Sequence, residues 1–178
     1  MNMPLIAIAT AAVIAAAYTS QPGPEAPPVL NDPTIVAIFD AANTADIETG
    51  QLAAERGHSE KVRDFGAMLA RDHQHVRQLG RDLAKKLGVT PTPIPLAEDQ
   101  SARDHAAAMK RLSGLSGPEF DHAFLQHEVA FHKAVIHAVK TTLLPAIENE
   151  ELKGFVLKVA PAFEAHMIAA QNLDKQLR

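Results

Sequence analysis

Cysteine is absent, so disulfides, thiolate metal sites and cysteine nucleophiles are excluded at once. Tryptophan is absent too, and aromatic residues make up only 4% of the chain. With so few large rings, the 47% hydrophobic content comes mainly from Ala, Leu and Val. That palette suits close-packed helices better than a sheet sandwich. No segment alternates apolar and polar residues as a half-buried strand does, and no fixed period marks a solenoid. A basic excess is also missing. The net charge is -4 with both signs interspersed, which excludes the cationic footprint of a nucleic-acid binder. Neither a phosphate-cradling glycine loop nor a dinucleotide fingerprint occurs.

What the chain does have is histidine, nine in 178 residues, five of them between His105 and His137. It also opens on an uncharged apolar run, Leu5 to Ala17, ending in three alanines. That is the length of a signal-peptide core with a small-residue cleavage pattern, and it is short for a membrane span. Residues 1–17 therefore read as a signal peptide, although no Lys or Arg precedes the run. An uncleaved membrane anchor is the alternative. Export to the periplasm or outer membrane is the expected localisation. Residues 18–31, with four prolines, read as a linker, and 32–178 as the folded domain.

Helical periodicity then divides the domain into four long helices. Helix A runs from Asp32-Pro33, with Asp32 as cap, to about Glu55, where Gly57 stops it. Helix B runs from the Ser59 cap to Gly88. Thr90 to Pro95 carries three prolines and reads as an extended crossover, followed by a short amphipathic helix over about 97–112. Helix C starts at Ser116-Gly117-Pro118 and lasts to about Leu143, where Leu144-Pro145 interrupts it. Helix D spans about Glu150 to Gln176, with Pro161 as a kink. Short A–B and C–D links and one long B–C crossover predict an all-α, ferritin-like four-helix bundle.

Each helix sends an ionisable group into its apolar stripe. On helix C, Leu125, Val129, His132, Ile136, Val139 and Leu143 align, and on helix D so do Val159, Phe163, His166, Ala170 and Leu173. Helix B places Asp72 and His73 between Leu69 and Val76. Helix A offers Ile38, Ala41, Ala45, Glu48 and Leu52. Imidazole and carboxylate together suit Zn, Fe, Mn or Cu. The predicted metal ligands are Glu48, His73, His132 and His166, with Zn or Fe as the expected ion. Asp72, Asp121 and Glu128 are candidates for orienting an imidazole or adding a ligand. Two Glu-x-x-His motifs on facing helices, the signature of bridged di-iron sites, do not occur at suitable positions. A metal-free polar core, with Glu48 paired to Arg63 or Arg71, is the competing reading.

The stretches Asp46-Ile47-Glu48-Thr49-Gly50-Gln51-Leu52-Ala53 and Phe65 to His73 resemble a bacterial family of exported bundles. So do Ser116 to Asp121, His132, and Pro161 followed by His166-Met167. This is the domain of unknown function 4142 family, and the likeness covers about Pro33 to Leu173. It implies export and a ferritin-like fold, and it supplies no reaction. Three functions follow: an exported metal-binding bundle; a non-catalytic envelope or stress protein acting through its surface; and a metal-dependent redox or hydrolytic enzyme. Membrane association is expected only through the N-terminal segment.

Overall fold

The computed structural model describes residues 30–95 and 97–177. The signal-peptide reading and most of the linker lie outside those residues. The described chain is all-α: α1 (Asp32–Arg56), α2 (Glu60–Leu87), α3 (Gln100–Ser113), α4 (Gly117–Ala138), α5 (Leu144–Ala146) and α6 (Glu150–Gln176). A π-helical turn over Val139–Leu143 joins α4 to α5. No described helix is long and apolar enough to cross a membrane.

Helix ends follow local chemistry, with two corrections. Asn31, not Asp32, caps α1, its Oδ1 accepting from Thr34 N at 3.1 Å. The Asp32 carboxylate instead reaches across the molecule and accepts from Glu148 N (3.0 Å) and Asn149 N (2.9 Å), just before α6. Helix C also does not stop at Leu144-Pro145. Pro145 has no N–H to give, and the chain widens into the π turn ahead of it, Leu144 N bonding Val139 O. The Thr141 hydroxyl takes up the His137 carbonyl at 2.9 Å. Gly88 ends α2 at φ +69, a left-handed position suited to glycine.

Helices α1 and α2 pack as one hairpin, and α4 with α6 as another; α1 also meets α4, and α2 meets α6. The α1–α2 contact is tight because it is built on glycine. A Cβ on Gly50 would lie 2.7 Å from Gly66 O, and one on Gly66 2.6 Å from Gly50 O. Apolar side chains fill both ends of the assembly. Phe65, Leu69, Phe120, Phe124 and Leu173 pack near the α1–α2 turn, and Ile35, Val36, Leu143, Leu152 and Val156 at the opposite end. Phe39, Val159 and Phe163 form a smaller cluster between them. The same central length of each long helix carries the buried polar residues Asn43, Asp46, His73, Glu128, His132 and His166.

Candidate metal centre

His73 from α2, His132 from α4 and His166 from α6 meet in the middle of the molecule, at 2%, 0% and 8% exposure. One ring nitrogen from each lies within 4.8 Å of the other two. Ring centres are 5.6 Å apart for His73–His132, 5.1 Å for His73–His166 and 5.6 Å for His132–His166. Imidazoles ligating a tetrahedral ion at about 2.0–2.1 Å have ring centres roughly 5.2 Å apart. Phe163 packs on His73 and His132 from the apolar side.

The outward nitrogens of the three rings are already committed. Asn43 Nδ2 donates to Phe39 O, so its Oδ1 is an acceptor, and His73 Nδ1 lies 3.0 Å from it. His132 Nδ1 lies 3.0 Å from the backbone carbonyl of Glu128. His166 Nε2 lies 3.4 Å from Asp72 Oδ2. The acceptors behind His73 and His132 require those nitrogens to carry the proton, and the Asp72 carboxylate favours the same arrangement in His166. The other nitrogen of each ring keeps a lone pair. His73 Nε2 and His166 Nδ1 then face each other at 3.2 Å, acceptor to acceptor, and His132 Nε2 is buried with no partner. Two acceptors at that distance repel unless a proton or cation lies between them. Two nitrogens on one tetrahedral ion are themselves about 3.4 Å apart.

Burial keeps these rings neutral. It lowers His73 to about 3, aided by repulsion from His132 and His166, and His132 to about 4, aided by His166. His166 is lowered by the same desolvation, against the pull of Asp72. Neutral imidazole is the ligating form.

Two carboxyls lie behind the rings. Asp46 and Glu128 are 1% and 0% exposed. Asp46 Oδ2 is 3.5 Å from His73 Nδ1, and Glu128 Oε2 is 3.5 Å from His132 Nδ1. Desolvation pushes Asp46 well above its ordinary value, with Glu128 beside it adding repulsion, and pushes Glu128 up to about 7.

The structure thus brings together His73, His132, His166 and Glu128, places Asp72 behind His166, and leaves two predicted residues elsewhere. Glu48 is half-exposed and pairs with His105 at 2.7 Å, not with Arg63 or Arg71. Asp46, two residues earlier and roughly 200° around the helix, takes the interior position. Asp121 is buried but holds the α1–α2 turn, accepting from His58 N and Ser59 N at 2.7 Å each. Asn43 and Asp46 escaped the sequence reading. Their signal was the spacing Phe39, Asn43, Asp46, Gly50, Ala53, a second stripe on α1.

No curated protein and no solved structure matches the chain. The sequence of residues 17–173, nearly the whole chain, matches one family, and the protein belongs to it: Domain of unknown function (DUF4142).

Proposed function

We propose that this chain is an exported metal-binding protein, a ferritin-like four-helix bundle at residues 32–178 behind a signal peptide at 1–17 and a linker at 18–31. In it His73, His132 and His166 hold one divalent ion, Zn or Fe. The observation that carries this is the set of three inward lone pairs, each fixed by an acceptor behind its ring. Outer partners of this kind are how metal-binding imidazoles are oriented. The ferritin-like part is supported by two helical hairpins separated by the long α2–α4 connection. With His166 donating to Asp72, His73 and His166 meet acceptor to acceptor, an arrangement that a cation between them satisfies and a metal-free polar core does not.

Metal analysis of untagged protein after chelation, dialysis and reloading tests the proposal. About one equivalent of Zn or Fe is expected; uptake under roughly a tenth of an equivalent would overturn it. Three nitrogen ligands leave a coordination position open, as in catalytic rather than closed structural sites. On that ground metal-dependent turnover of peroxide or oxygen is the second reading, tested with Fe-loaded protein.

A further inference from the structure

The three imidazoles leave Asp46 and Glu128 unexplained. All four carboxylate oxygens are buried without a hydrogen-bond partner. The nearby donors are spent. His73 Nδ1 serves Asn43 and His132 Nδ1 serves the Glu128 carbonyl. The Thr49 hydroxyl has a single proton, shared among Glu128, which it draws down against its burial, and the Ala45 and Asp46 carbonyls. Among the described residues no lysine or arginine forms an ion pair with either carboxylate. A single shared proton joins the two side chains and leaves the remaining oxygens bare, whereas a cation can be bound by oxygens of both.

The ligand set indicates the ion. A carboxylate oxygen of Asp46 and one of Glu128 lie within 4.8 Å of each other and of a His132 ring nitrogen, a second group whose only residue in common with the three imidazoles is His132. The carboxylates face the Nδ1 edge of that ring, at 3.5 Å for Glu128 and 3.9 Å for Asp46. Its Nε2 carries the lone pair. Carboxylate oxygens select hard divalent ions such as Mn2+ or Mg2+, and imidazole nitrogens select borderline ones such as Zn2+. Two anionic side chains also balance one divalent charge.

We infer that Asp46 and Glu128 hold a second, hard divalent cation, with the His132 ring standing between it and the ion of the three imidazoles. The inference adds to the proposed function and shares only His132 with it.

The test loads the untagged, metal-free full chain with about one equivalent of Zn2+, which the nitrogen site takes in preference, then titrates Mn2+. Bound Mn2+ is read from loss of the six-line electron paramagnetic resonance signal of the free ion. About one Mn2+ per chain is expected, lost in Asp46→Asn and Glu128→Gln while Zn2+ is retained. No Mn2+ uptake by the Zn2+-loaded wild type overturns the second position and leaves the first standing. Zn2+ lost together with Mn2+ in variants still helical by circular dichroism also overturns it, because the carboxylates then belong to one centre. Failure of the wild type to take up either ion sinks both readings. Should the variants unfold, the wild-type stoichiometry decides alone.

Discussion

At the level of single side chains, what distinguishes a ligand histidine from a core histidine is the fate of its two ring nitrogens. His132 spends Nδ1 on a backbone carbonyl and leaves Nε2 bare. His166 leans on Asp72, which Arg71 also holds at 3.1 Å. Replacing Asp72 by Asn removes the negative charge behind the ring, and metal affinity should fall about 10- to 100-fold, measured by competition with a chelating dye. Glu48→Gln, at the position first expected to ligate, should leave affinity unchanged, since that side chain only pairs with His105. The carboxyls set the pH dependence. Because burial raises Glu128 to about 7, with Asp46 raised beside it, the metal-free pair holds a proton on Glu128 at pH 6. His73, at about 3, and His132, at about 4, have none left to lose there. Uptake of a cation by the two carboxyls at pH 6 should therefore release a proton from Glu128, and that affinity should keep rising as pH climbs through 7. Calorimetry in buffers of different ionisation heat reads this directly. Release of none at pH 6 would show that the carboxyls stay protonated beside the ion.

At the level of elements, the close approach of α1 and α2 fixes how far Asp46 stands from His73. Gly50 and Gly66 lie one turn and two turns from those residues, and each faces the other's backbone. Adding a methyl at either gives a contact of 2.7 or 2.6 Å with a carbonyl oxygen, which cannot swing aside as a side-chain tip would. Gly50→Ala or Gly66→Ala should destabilise by about 1–3 kcal/mol despite the better helix propensity of alanine. Metal affinity should fall with it. Gly154→Ala, where a Cβ meets nothing within 4 Å, should instead stabilise by up to about 1 kcal/mol. Urea unfolding of the three variants separates packing from propensity. Most of this element-level structure was legible in the sequence, because Gly88, Pro118 and the Thr90–Pro95 run act locally. The facing of α1 was not. That helix touches α2, α3 and α4, so its alanine-rich surface is buried around much of its circumference and two stripes compete. Apolar spacing alone does not separate the stripe through Glu48 from the one through Asn43 and Asp46, and only the packing of α2 decides between them. His73, His132 and His166 were legible because each interrupts a single, unambiguous apolar stripe. Asp32 read as the cap of its own helix and Asp121 as a site residue, because each carboxylate was weighed only against its own helix, and here each serves the neighbouring hairpin.

Those two carboxylates govern how the whole molecule is tied. Asp32, at the start of α1, holds the turn before α6, and Asp121, near the start of α4, holds the turn before α2. Each hairpin thus clasps the other at one end, while the centre between the ends is polar. Packing is concentrated within each hairpin, α1 on α2 and α4 on α6, so the seam between hairpins is where opening costs least. Asp121→Ala removes the acceptor of two partly buried N–H donors and should cost about 1–3 kcal/mol. It should leave metal stoichiometry intact, because the site lies far along the helices from that turn. An ion on the three imidazoles would tie the same seam at mid-length: His73 belongs to the first hairpin, His132 and His166 to the second. A ligand that binds only the folded state stabilises it by about 4 kcal/mol at a free concentration a thousand times its Kd. For this site that stabilisation should concentrate where the hairpins meet. Hydrogen exchange of metal-free and metal-loaded protein should show slowing centred on the middle of α2 and α6. The turns clasped by Asp32 and Asp121 should change least. Uniform slowing along all four long helices would indicate that opening is global and that the seam is no weaker than the hairpins themselves. Exchange indifferent to metal around His73 and His166 would remove those two residues from the site.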